Sequence, residues 1–218
     1  MTSNIGGFNT VVLDVDSTLS GIEGIDWLAE LRGPGVAAEV ASLTERAMSG
    51  EIKLEDVYGR RLARVSPSRD DVDALATQYI ENIAPGARDA IAMWSKKGVR
   101  TILVSGGIRE AIVPLALFAG VSGNDVFAVS IRFDGDGAYA GFDTTSPLST
   151  ATGKREIVAS LGLPRPLLAV GDGSTDVVMR EVADGFAAFT GFTARPTVID
   201  RADFIASSFD ELAKIVGA

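Results

Sequence analysis

Hydrophobic positions along the chain follow two different rhythms. Thr10-Val11-Val12-Leu13 is a short, continuous apolar run of the kind that forms a strand buried on both faces. From Ile22 the spacing becomes helical: Ile22, Ile25, Leu28 and Leu31 are followed by Val36, Val40, Leu43 and Ala47, then by Val72, Leu75, Tyr79, Ile80 and Ile83. Gly33-Pro34-Gly35, Ser49-Gly50 and Ser66-Pro67-Ser68 punctuate these helices, and Pro85-Gly86 closes the region. Residues 20 to 84 are therefore expected to form a helical insertion without a clear strand.

Beyond it, strand and helix patterns alternate. Val99 to Val104 reads as a buried strand, Ile108 to Phe118 as a helix, and Asp125 to Phe133 with Ala138 to Phe142 as a hairpin around Asp134-Gly135-Asp136-Gly137. Lys154 to Leu161 is helical, Leu167 to Val170 a strand, Thr175 to Val182 a helix, Gly185 to Phe189 a strand, and Asp203 to Ile205 a last short one. The pattern predicts an α/β fold with a doubly wound, Rossmann-like parallel sheet, built from residues 1–19 and 85–218 and interrupted by the insertion at 20–84.

Three of the predicted strands end in polar residues. Leu13 runs into Asp14-Val15-Asp16-Ser17-Thr18, Val104 into Ser105-Gly106-Gly107, and Val170 into Gly171-Asp172-Gly173-Ser174-Thr175-Asp176. Ligands of open parallel sheets sit beyond the carboxyl ends of the strands, so these segments can meet at one site. In extended chain, residues i and i+2 face the same side, which sends Asp14 and Asp16 toward the same space; two carboxylates so close call for a cation or a proton between them. Ser105-Gly106-Gly107 before a helix offers a hydroxyl and open N–H groups to a phosphate. Lys154, in Thr152-Gly153-Lys154-Arg155, can offset charge on a transferring phosphoryl group.

Composition narrows the chemistry. The chain has no histidine and no cysteine, which removes imidazole catalysis, thiolate nucleophiles and nitrogen- or sulfur-ligated zinc. Acid–base work falls to Asp, Glu, Lys or Tyr, and a bound metal must take oxygen ligands, which favours magnesium. Ser105 is no serine-hydrolase nucleophile, since Leu103 breaks Gly-x-Ser-x-Gly and no histidine can serve as base. Nor is the Lys154 segment a P-loop: Leu148 replaces its first glycine and Arg155 its Ser or Thr. Asp134 and Asp136 fit a hairpin turn better than a calcium loop. A formal charge of −9 argues against a nucleic-acid partner. No apolar run has the length of a membrane span and the first residues carry no leader pattern, so a cytoplasmic location without a membrane partner is expected.

The ordered set of acidic pair, Ser-Gly-Gly, lysine and Gly-Asp-Gly-x-x-Asp resembles the haloacid dehalogenase superfamily of aspartate-nucleophile phosphatases, specifically its phosphoserine phosphatase branch. The likeness spans most of residues 8 to 184, and the helical insertion looks like the small cap domain of that family. It implies Asp14 as nucleophile and Asp16 as general acid and base. Mg2+ would be held by Asp14, the backbone carbonyl of Asp16 and Asp172, with Asp176 close by; Ser105, Gly106, Gly107 and Lys154 would cradle the phosphoryl group. Glu23, Met48, Leu54, Arg61 and Thr175 match substrate-contacting positions. Leu54 stands where the family usually has Phe, and Thr175 where it usually has Asn. Glu23 suits an ammonium and Arg61 a carboxylate, as in a phospho-amino acid. The partner expected is thus a small phosphorylated metabolite, phosphoserine first, with hydrolysis serving serine biosynthesis. The alternatives are the same chemistry on another small phosphate ester, phosphoryl transfer to an alcohol, and a receiver-like phosphoacceptor that does not turn over.

Overall fold

The apolar run becomes β1 (Thr10–Leu13), buried throughout because it lies inside a six-stranded sheet with a neighbour along each edge. The structure, a computed structural model, describes residues 7–48 and 51–217; the side chains of Glu45, Ala47 and Met48 and the whole of Ser49-Gly50 lie outside the described residues. The other strands are β2 (Arg100–Ile108), β3 (Val126–Val129), β4 (Ile131–Phe133), β5 (Tyr139–Phe142), β6 (Leu167–Gly171), β7 (Gly185–Phe189) and β8 (Phe204–Ala206). The main sheet has the order β3-β2-β1-β6-β7-β8 and is parallel throughout, as the alternating pattern predicts. Helices α5 (Ala87–Lys96), α6 (Arg109–Ala119) and α10 (Phe209–Val216) pack together, and so do α7 (Gly153–Ser160), α8 (Ser174–Val177) and α9 (Pro196–Ile199). Right-handed crossovers put the two groups on opposite faces of the sheet.

Strand order reverses between β1 and β6, and this switch point is where an open α/β sheet leaves a crevice at its carboxyl edge. Leu13 lies opposite Leu103 on one side and Val170 on the other, so the residues following all three emerge at the same level.

Between β1 and α5 the chain forms α1 (Gly24–Glu30), α2 (Pro34–Met48), α3 (Leu54–Val65) and α4 (Arg69–Glu81). Their apolar faces pack on one another, and α4 also packs on α6. Ser68 starts α4 with a capping box: its Oγ accepts from Asp71 N while its own N–H donates to Asp71 Oδ2 at 2.8 Å. The entering and leaving segments run side by side, with Gly21 N donating to Asn82 O and Ala84 N to Leu19 O, both at 2.9 Å.

Several boundaries differ from the pattern. Ser105-Gly106-Gly107 belongs to the strand rather than to a turn after it: β2 runs through it to Ile108 with a register shift against β3, and the expected helix follows as α6 from Arg109, one residue later than the pattern places it. Asp125 to Phe133 is two strands: β3 joins the main sheet, and β4 pairs antiparallel with β5. Apolar periodicity runs across the break at Ser130 because both pieces pack on the core. The predicted helix Thr175 to Val182 is one turn of α8 followed by a 3-10 turn, Val178–Glu181. Asp134 does build the hairpin turn, its Oδ1 accepting from the N–H groups of Asp136 and Ala138.

Candidate active site

At the carboxyl edge of the sheet, beneath the helical insertion, lies a cleft of about 500 Å³. β1 stops at Leu13, so Asp14 and Asp16 belong to the turn after the strand; Val15 between them is fully buried, and both carboxylates face the cleft. Ser17 then adopts φ 53°, a left-handed conformation that reverses the chain and costs on the order of 1 kcal/mol for a residue with a Cβ. Its Oγ donates to Glu23 Oε1 at 2.7 Å.

Lys154 rises from the start of α7 into the acidic floor. Its Nζ lies 2.6 Å from Asp14 Oδ1 and 2.5 Å from Asp176 Oδ1, with all three side chains buried. Burial alone would lower the lysine pKa, but the charges of Asp14 and Asp176 outweigh it and hold the ammonium protonated. Burial, with the negative charge of Asp176, pushes Asp14 well above the usual carboxylate range, and Lys154 opposes that shift. Asp14, Asp172 and Asp176 offer carboxylate oxygens within 4.8 Å of one another. Asp172 Oδ2 is buried and accepts no well-formed hydrogen bond among the described residues, with the Arg195 guanidinium against it. Three buried, hard oxygen donors in a chain without histidine or cysteine form a set able to hold a divalent metal ion.

Asp16 is held differently. Its Oδ1 accepts from Gly24 N and the Tyr79 hydroxyl, both at 2.7 Å, and Oδ2 faces Ser105 Oγ at 3.4 Å. Burial raises its pKa, and the two donors on Oδ1 pull it back. Ser105 is fully buried just under the cleft, while Gly106 and Gly107 line it.

On the insertion side the cleft is lined by Glu23, Leu54 and Arg61, and on the sheet side by Thr175. Arg61 Nη2 pairs with Asp26 at 2.9 Å, but its buried Nε has no acceptor among the described residues. Glu23 is raised to about 7, first by burial and then by the charge of Asp16; its side chain remains 45% exposed at the cleft mouth, so solvent damps the shift. Met48 stands at the end of α2, and its side chain is outside the described residues.

Three further contacts come from residues that no motif marks. Tyr79 carries an apolar spacing in the sequence, yet its hydroxyl serves Asp16. Tyr58 donates to Gly106 O at 2.8 Å. Arg195 comes from the loop after β7, where no motif marks it, and reaches Asp172 and, at 3.9 Å, Glu23. Only the spacing of Tyr58 from Leu54 and Arg61 along one helix face hints at its place.

A buried aspartate just beyond the central strand, a lysine on it and a loop of small residues beside it are the furniture of a phosphoryl-transfer hydrolase. The haloacid dehalogenase-like hydrolase profile matches residues 11–181, and the chain belongs to that family. Within it, the chain is 35% identical to the phosphoserine phosphatase of Rattus norvegicus over 207 residues, covering 94% of this chain and 91% of the rat protein. Among solved structures, a phosphoserine phosphohydrolase-like protein from Francisella tularensis superposes with a TM-score of 0.83 at 25% identity, covering 95% of this chain and 99% of that one. A phospho-aspartyl intermediate analogue of phosphoserine phosphatase superposes with a TM-score of 0.78 at 25% identity, over 95% and 98% of the two chains. Among the described residues no helix is long and apolar enough to cross a membrane.

Proposed function

We propose that this protein is a phosphoserine phosphatase that hydrolyses O-phospho-L-serine through an aspartyl-phosphate on Asp14. The observation that carries the substrate is the placing of Glu23 and Arg61, opposite charges from the insertion, in one cleft with Asp14. The buried Arg61 Nε–H has no acceptor among the described residues and suits a substrate carboxylate; Glu23 suits the ammonium. Residues 20–84 act as a cap that brings these two groups over the catalytic floor.

Asp14 attacks phosphorus, forming the carboxyl–phosphate bond as the serine oxygen leaves with a proton from Asp16. Two donors occupy Asp16 Oδ1, so the transferred proton belongs to Oδ2. Ionised Asp16 then takes a proton from the water that attacks the aspartyl-phosphate, which frees phosphate and regenerates Asp14. Lys154 holds Asp14 in place and faces the charge of the transferring group, while the Ser105 hydroxyl and the Gly106 N–H bind its oxygens; the Gly107 N–H is instead spent on Ser105 Oγ. Mg2+ fits the oxygen set of Asp14, Asp172, Asp176 and the Asp16 carbonyl, and when bound it neutralises phosphate charge.

Phosphate release is measured from O-phospho-L-serine and a panel of small phosphomonoesters, with magnesium or excess EDTA, for wild type and Asp14→Asn. Strong preference for phosphoserine, lost with EDTA and with the mutation, is expected. Turnover without preference would remove the substrate and leave the mechanism, with Leu54 and Thr175 as the residues to examine. No turnover, together with phosphorylation of Asp14 by a reactive donor, would favour the receiver-like alternative.

A further inference from the structure

Gly106 and Gly107 lack side chains and sit in the bulged end of β2, so packing of their own side chains does not fix the orientation of the peptide between them. Two contacts do. Its N–H, from Gly107, donates to Ser105 Oγ at 2.9 Å, and its C=O, from Gly106, accepts the Tyr58 hydroxyl at 2.8 Å. The first lies within the loop; the second crosses from α3 of the insertion.

Tyr58 is placed firmly enough for this task. It is 4% exposed, and its ring lies 5.3 Å from that of Phe142 on β5. Burial raises its hydroxyl pKa, so the group stays a donor. Leu54, one helical turn earlier, lines the same cleft, and Tyr58 supplies the aromatic bulk on that face of α3. With Gly107 N–H on one lone pair of Ser105 Oγ, the serine hydrogen is left for Asp16 or a phosphoryl oxygen.

We propose that Tyr58 is a positioning residue: its hydroxyl locks the Gly106–Gly107 peptide, and through it Ser105, so that the phosphate-binding loop is fully organised only when the helical insertion is seated on the sheet. The proposal rests on reading this loop as the phosphate site. It differs from the roles of Glu23 and Arg61 in acting on the phosphoryl end of any ester, whatever that ester carries at its other end.

The probe is inorganic phosphate, titrated by calorimetry into the magnesium-loaded protein at a temperature where every variant is folded. Tyr58→Phe keeps the ring and removes only the hydroxyl. Loss of one net hydrogen bond corresponds to a weakening of about 3- to 10-fold in phosphate affinity. A fall in kcat/KM of the same size is expected, equal for phosphoserine and phosphoethanolamine. Phe142→Leu loosens packing on the ring and lowers the melting temperature; it acts on the loop only through the Tyr58 hydroxyl, so added to Tyr58→Phe it weakens phosphate binding no further. Unaltered phosphate affinity in Tyr58→Phe overturns the proposal, and so does a further loss when Phe142→Leu is added to it. If wild type binds phosphate but does not hydrolyse phosphoserine, the substrate reading falls, and the titration still decides the role of Tyr58.

Discussion

Replacing Arg61 by Met keeps the length of the side chain and removes its charge and all of its donors. The structure sets the size of the effect. The Arg61 side chain is 12% exposed, one terminal nitrogen is engaged by Asp26 at 2.9 Å, and the buried Nε–H finds no acceptor among the described residues. A charge-assisted hydrogen bond of this kind contributes about 1.5 to 3 kcal/mol. At about 1.4 kcal/mol per factor of ten, kcat/KM for phosphoserine should fall by about 10- to 150-fold. Phosphoethanolamine keeps the phosphate and the ammonium and lacks only the carboxylate, so its kcat/KM should change little. The assay is therefore the ratio of the two substrates in wild type and variant, which cancels any general damage to the site. Arg61→Lys keeps the charge without the planar fork and should recover only part of the ratio. Equal losses for both substrates would refute the assignment of Arg61 to the carboxylate, as would no loss for either.

Other outcomes follow from the same geometry. Burial and the charge of Asp16 raise Glu23 toward about 7, so a growing share of it is protonated, and unable to meet an ammonium, as pH falls below neutral. Because binding favours the ionised form, phosphoserine kcat/KM should fall as pH drops through 7; the ratio of wild type to Glu23→Gln across pH 5.5 to about 8.5 isolates this step from the titration of the substrate phosphate, whose second pKa is about 6. A flat ratio would show that Glu23 does not meet the ammonium. Gly171→Ala would place a Cβ 2.2 Å from Asp176 Cγ, displacing the carboxylate that holds Lys154 at 2.5 Å. Turnover should drop on the order of 100-fold through misplacement of the lysine, with stability lowered by about 1 to 3 kcal/mol; steady-state kinetics and thermal melting test both.

Much of the site was legible because its residues sit at strand ends. Asp14, Asp172 and Asp176 follow short apolar runs, and the parallel register that brings Leu13 level with Leu103 and Val170 turns three distant motifs into one crevice. Lys154 carried almost no signal alone, since a lysine at a helix start is ordinarily solvated; here it is buried between two carboxylates. The split of Asp125 to Phe133 into β3 and β4 was hidden for a different reason. Both halves are apolar, and which sheet a strand joins depends on partners far along the chain.

The sequence by itself determined the α/β class, the helical insertion, an oxygen-only metal chemistry and the absence of imidazole and thiol catalysis, because these depend on local periodicity and residue inventory. Tertiary structure alone decided what the cleft walls do. Tyr79 has the spacing of a core residue, but the packing of α4 on α6 delivers its hydroxyl to Asp16. Tyr58 reaches Gly106 across 48 residues of chain, and Arg195 reaches Asp172 across 23. Hydrogen bonds end within about 3.5 Å, and no periodicity along a chain records which side chains the fold will bring within that reach.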